Sequence, residues 1–189
     1  MKKYGILGVP VMFLLGACAI TSWDRGLAEI EKGQLAFEKR EFGTALAEFQ
    51  RAAQMLPNDV RIFRWLGFAY FQNGRYRESI QAFMQSLSLP HTAFDKGFDY
   101  QNWDGMAASQ AKMGQFSAAA ASEKKAIELN PSRPGQYAAL SSYFNGNGQY
   151  DEAITAAKRA LELRATGALS HHELGFAYRK KKQFDAASG

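Results

Sequence analysis

The stretch Leu66-Gly67-Phe68-Ala69-Tyr70-Phe71-Gln72-Asn73-Gly74-Arg75-Tyr76 decides the fold, because its spacing returns along the 189-residue chain. The small residue at Gly67 recurs at Gly33, Ala107, Ser141 and Gly175, in steps of 34, 40, 34 and 34 residues. Nine residues beyond each of the five stands an aromatic, Phe42, Tyr76, Phe116, Tyr150 or Phe184. Three further on comes a second small residue, Ala45, Ser79, Ala119, Ala153 or Ala187. A sustained period of this length marks a repeat array, whose units bury their apolar faces only by stacking on one another.

Inside a unit the apolar spacing is helical. Ile62, Phe63, Leu66 and Tyr70 share one helix face and Ile80, Phe83 and Leu87 another, with Asn73-Gly74 ending the first helix between them. Gly114 and Gly148 punctuate later units in the same way. A small residue on the first helix facing a small residue on the second lets the two axes approach without clash or cavity, and the aromatic fills the wedge.

These units resemble tetratricopeptide repeats over about residues 26–189. Repeat one (26–59) keeps Gly33, Ala45, Phe49, Ala52 and Pro57, and repeat two (60–93) keeps Leu66, Gly67, Tyr70, Gly74, Tyr76 and Phe83. Repeat three (100–133) opens on Trp103 and keeps Gly114, Ala119, Ala126 and Pro131. Repeat four (134–167) keeps Leu140, Gly148, Tyr150, Ala153 and Ala160 but has Ala165 where proline is usual. A fifth, 168–189, keeps Leu174, Gly175, Tyr178, Phe184 and Ala187, with room only to begin its second helix. The resemblance implies an all-α solenoid of helical hairpins wound as a right-handed superhelix, with four full repeats and a truncated fifth. Such folds serve many unrelated partners, so fold alone does not name a function.

The N-terminus carries a separate signal. Lys2 and Lys3 precede an apolar stretch from Tyr4 to Leu15, which runs into Leu15-Gly16-Ala17-Cys18. This arrangement resembles a bacterial lipoprotein signal: residues 1–17 removed, Cys18 lipidated on sulfur, and 18–25 left as a tether. Ala19 after the cysteine, in place of Asp, is similar to lipoproteins of the outer membrane facing the periplasm. Two other readings stand beside it, an uncleaved anchor and an ordinary buried thiol. Cys18 is the only cysteine, so no disulfide forms within the chain.

Charge and motifs exclude several classes. The net charge of +5, which loses Lys2 and Lys3 on cleavage, is too mild for a nucleic-acid surface. The run Arg179-Lys180-Lys181-Lys182 suits the C-terminal end of a helix. His172-Glu173 begins a zinc-protease pattern, but Phe176 occupies the second histidine position, and His171 and His172 point about 100° apart on a helix. Gly146-Asn147-Gly148 lacks the strand and the Lys-Ser/Thr of a phosphate loop. The chain is therefore expected to be no enzyme, and to need neither metal nor organic cofactor nor small-molecule substrate.

The resemblance implies that the first helix of each hairpin lines a concave groove. Its inward stripe is Leu27, Ile30, Gln34 and Phe37 in repeat one and Arg61, Arg64, Phe68 and Phe71 in repeat two. In repeat three it is Gln101, Asp104, Ala108 and Ala111, and in repeat four Gly135, Ala138, Ser142 and Asn145. Ile30, Phe37, Arg61, Arg64, Phe68 and Phe71 are the candidate partner-binding residues, able to grip an apolar peptide and pair with its acidic group. The alternative is that the three phenylalanines are packed by neighbouring helices. The six-residue excess, within about 90–99, carries Phe94 and Phe98 and is expected to pack on its neighbours or touch a partner. Two functions fit: a lipid-tethered adaptor for a protein of the envelope, resembling lipoproteins of pilus or secretion assembly, or a non-catalytic arm of a peptidoglycan enzyme.

Overall fold

A computed structural model describes residues 10–90, 92–163 and 168–188. Among the described residues all regular structure is helical: α1 (Pro10–Glu38), α2 (Phe42–Met55), α3 (Val60–Gln72), α4 (Tyr76–Ser88), the one-turn α5 (Ala93–Lys96), α6 (Asp99–Lys112), α7 (Phe116–Leu129), α8 (Pro134–Gly146), α9 (Tyr150–Glu162) and α10 (Ala168–Ser188). Four hairpins, α1–α2, α3–α4, α6–α7 and α8–α9, stack in chain order, and α10 packs on α9 and α8. First helices of neighbouring repeats touch as well, α1 with α3, α3 with α6 and α8 with α10. The structure is the all-helical repeat solenoid expected from the period.

Each hairpin turns by the same device. Gly74, Gly114 and Gly148 take φ of 73°, 74° and 76°, and the next residue's N–H reaches five residues back: Arg75 to Tyr70 O at 2.9 Å, Gln115 to Gln110 O at 2.9 Å, Gln149 to Phe144 O at 2.9 Å. This closes the last carbonyls of the first helix and aims the chain into the second. Repeat one turns identically with a non-glycine residue, Arg40 at φ 63°.

The small-to-small pairing lies where the period places it. Ser79 Oγ donates to Gly67 O at 2.8 Å, and in repeat four the roles reverse, Ser141 Oγ donating to Ala153 O at 2.8 Å. Ser79, Ser141, Ala45, Ala107, Ala119 and Ala153 are all fully buried. The wedge differs in detail from the expectation. The rings that meet the first-helix glycines are Phe49 and Phe83, about two helical turns further along the second helix than Phe42 and Tyr76. A Cβ at Gly33 would fall 2.6 Å from Phe49, and one at Gly67 2.5 Å from Phe83, which also abuts Gly105 of the next repeat. Phe42 and Tyr76 instead meet the end of the first helix, on Phe37 and Phe71.

Two ends differ from the plan. The fifth unit was expected to turn before Phe184, yet α10 runs unbroken from Ala168 to Ser188. The slot filled by Gly74, Gly114 and Gly148 holds Lys182 here, for which a left-handed turn is strained as it is for Arg40 in repeat one, and the helix continues through it. The basic run Arg179–Lys182 consequently lies inside a helix rather than at its end. At the other terminus α1 starts at Pro10, so 18–25, expected as a tether, is helical backbone continuous with repeat one. Residues 1–9 of the expected signal lie outside the described residues, as does the Cys18 side chain. Among the described residues no helix is long and apolar enough to cross a membrane.

Candidate functional site

The N-terminal stripe is an aromatic row with one face packed. Phe37 meets Phe42 and Trp65 edge-on at 5.2 and 5.5 Å. Phe68 meets Trp65 at 6.1 Å and Phe83 at 5.1 Å, and Phe71 tilts on Tyr76 at 5.6 Å. All three phenylalanines stay half-buried, so each contributes to packing and leaves part of its ring open. Ile30 sits in the core at 6% exposure, beneath the surface a partner would touch, because its face of α1 packs into the cluster that includes Leu46, Phe49 and Leu66.

The two arginines part ways. Arg61 is exposed but held by its own N-cap residue: Nε to Asp59 Oδ1 is 3.0 Å and Nη2 to Asp59 Oδ2 2.6 Å, a two-pronged pair that raises its pKa. That engagement competes with any acid on a partner. Arg64 lies over the Phe98 ring at 5.0 Å, and burial lowers its pKa against the pull of Asp95 and Asp99. A half-buried guanidinium held over a ring makes the better anchor for a partner.

The six-residue excess forms α5. Thr92 caps it, accepting from Asp95 N at 3.2 Å while Thr92 N donates back to Asp95 Oδ2 at 3.2 Å. The insertion both packs and projects: Phe98 turns in under Arg64, whereas Phe94 is 74% exposed. Phe94 joins Trp23, Met55, Pro57 and Arg61 around a cleft of about 790 Å³ at one edge of the array.

A second site was not singled out in the sequence. Glu123 of α7 is fully buried, and neither carboxyl oxygen meets a donor among backbone or side-chain N–H and O–H groups. The Asp104 carboxyl of α6 is the acid it faces, and two carboxyls set against each other in a buried place favour a proton on the pair. Burial, reinforced by the Asp104 charge, pushes Glu123 up to about 9. Burial also raises Asp104, and raises Tyr143 beside them. Asp104 lines a cleft of about 440 Å³ with Arg133, Pro134 and Gln136. Gln136 is 4% exposed, and both atoms of its amide lack partners. One signal was present in the sequence: Glu123 stands in the slot of Phe49 and Phe83, offset by the same steps of 34 and 40 residues.

No group of three or more His, Cys, Asp or Glu side chains converges on a metal-sized site among the described residues. His171 and His172 are exposed, and His172 Nδ1 lies 3.4 Å from Glu173 Oε1. Within the basic run Lys181 pairs with Asp151, while Arg179 and Lys180 lie near the Phe176 ring at 5.9 and 5.8 Å.

Tetratricopeptide-repeat family models match residues 30–88 and 137–166, so the chain carries these repeats. Among solved structures, MamA is 19% identical, with 87% of each chain covered and a TM-score of 0.74. Another, YrrB, described as a tetratricopeptide-repeat protein with an unusual peptide-binding site, is 19% identical over 82% of this chain and 76% of its own, at a TM-score of 0.67. Both likenesses concern the fold. Superkiller protein 3 of Schizosaccharomyces pombe is 24% identical over 132 residues, 69% of this chain but 10% of that much longer protein.

Proposed function

We propose that this tetratricopeptide-repeat array is a non-catalytic scaffold that holds a peptide segment of a protein partner along its first helices. In this proposal it is tethered through lipid on Cys18 to the periplasmic face of a bacterial outer membrane, as an adaptor in pilus or secretion-system assembly. The observation that carries the binding role is the half-open row of Phe37, Phe68 and Phe71 beside the Arg64 guanidinium held over Phe98. Rings and arginines in such partly dry settings dominate interface energies. A repeat solenoid whose solved relative YrrB is described by its peptide-binding site supports the same use of the fold. The tether rests on the sequence alone, on Lys2-Lys3, the apolar stretch and Leu15-Gly16-Ala17-Cys18.

Crosslinking and pull-down from membranes of the native host tests both parts. The expected result is one protein partner, captured by the wild type and at least tenfold less by Arg64→Ala with Phe71→Ala, at unchanged helix content. Intact mass should show a lipidated cysteine at the new N-terminus, absent from Cys18→Ser. Capture that ignores the double substitution would end the groove assignment. A partner that hydrolyses peptidoglycan would place the chain with cell-wall enzymes instead of assembly machinery.

A further inference from the structure

The cleft between repeats three and four pairs a charged acid with polar groups that have nothing to bind. Asp104 belongs to the inward stripe of α6, and Gln136 shares its cleft with both amide atoms unpartnered at 4% exposure. Behind them lies Glu123, whose two oxygens meet no N–H or O–H donor of the protein. Three of these four unpartnered atoms, Gln136 Oε1 and the two Glu123 oxygens, can accept, against one donor, Gln136 Nε2, and a buried acceptor without a donor is costly. Such a cavity suits a guest bringing several donors and a positive charge. Arg133, the cation at the rim, is itself engaged: Nη1 donates to Tyr100 OH at 2.9 Å, with its guanidinium 5.0 Å over that ring.

We infer that this cleft takes a lysine or arginine side chain of the bound peptide, seated on the Asp104 carboxylate and the Gln136 amide. The inference rests on the peptide-binding role proposed above and gives the peptide a required basic position. The proton balance is simple. A proton on the pair leaves to solvent, both acids become charged, and the incoming cation offsets the second negative charge. The charged and titratable groups facing Glu123 are Asp104 of α6, Arg133 in the turn before α8, and Tyr143 of α8. Arg133 favours the ionised pair, while burial and the mutual repulsion of the two acids oppose it. Affinity should consequently rise with pH up to the titration of Glu123 and level off above it.

The test selects a displayed library of random twelve-residue peptides on the full chain, then measures binding of the selected peptides by fluorescence anisotropy. The expected peptides share a Lys or Arg at one fixed position, and exchanging it for Gln weakens binding about tenfold or more. Their affinity should rise about tenfold per pH unit between roughly pH 6 and 8, the slope for release of one proton. Asp104→Asn should abolish the preference for a basic residue. Glu123→Gln, whose amide can donate to Asp104, should keep the fold and flatten the pH slope. Selected peptides without a fixed basic residue, or with one indifferent to pH and to Asp104→Asn, overturn this inference and leave the groove in place. A library yielding no peptide sensitive to Arg64→Ala or to Asp104→Asn overturns the groove as well.

Discussion

Repeats two and three are built on one register with opposite chemistry in their cores. In repeat two the first helix buries Ile62 and the second buries Phe83, whose ring fills the space above Gly67 and Gly105. Forty residues later the same two slots hold Asn102 and Glu123, both also fully buried, and repeat four continues with the buried Gln136. Asn102, Glu123 and Gln136 all lack hydrogen-bond donors or acceptors for most of their polar atoms. The backbone, turn and helix pairing are alike in the two units, so the polar core is not a demand of the fold. An apolar residue would serve stability better in those slots.

The sharpest way to break this contrast is Phe83→Ala. Its side chain is fully buried and bridges two repeats, so the loss should be about 3–5 kcal/mol in denaturant unfolding. A cost below about 1 kcal/mol would mean the apolar half is no better filled than the polar one.

The next effect belongs to pH and isolates the polar half. Glu123 has its pKa raised from 4.5 to about 9 by burial first and the Asp104 charge second. The unfolded chain ionises this carboxyl above about pH 4.5, while the folded chain keeps it protonated to about pH 9. The contribution of Glu123 is therefore fully present in acid and is lost steadily as pH rises across that window. Tm should fall over that range in the wild type and fall less in Glu123→Gln, followed by circular dichroism. Equal slopes in the two proteins would show that Glu123 titrates normally.

The smallest effect lies at the turns, where all repeats should behave alike. Arg40 holds φ 63°, the conformation that glycine holds at 74, 114 and 148. Arg40→Gly should raise stability by at most about 1 kcal/mol, the relief of left-handed strain less the added freedom of the unfolded chain. Destabilisation by more than that would reveal that the Arg40 side chain supports repeat one.

Much of the solenoid was legible because its determinants are local. The glycine that turns the chain, the small residue that admits a neighbouring helix and the aromatic nine residues on are each fixed by spacing, and the Ser79–Gly67 contact at 2.8 Å lies where that spacing puts it. The candidate groove was legible only in part. The i, i+3 stripe that marks a groove also marks a core, so Ile30 read like Phe37 although the structure buries it, and Arg61 read like Arg64 although Asp59 already holds it. The fifth unit misled for a related reason: its aromatic and small residues kept the register, but the glycine slot holds Lys182 and α10 continues through it.

By itself the sequence determined the helical hairpins, their order and their turns, since these depend on residues within one period of each other. Only the tertiary structure decided which stripe is buried, that Arg64 lies over Phe98 from the insertion, and that the buried Glu123 faces Asp104. Burial and charge are properties of what the neighbouring repeat places opposite a residue. Two helices carrying the same pattern can therefore end in opposite environments.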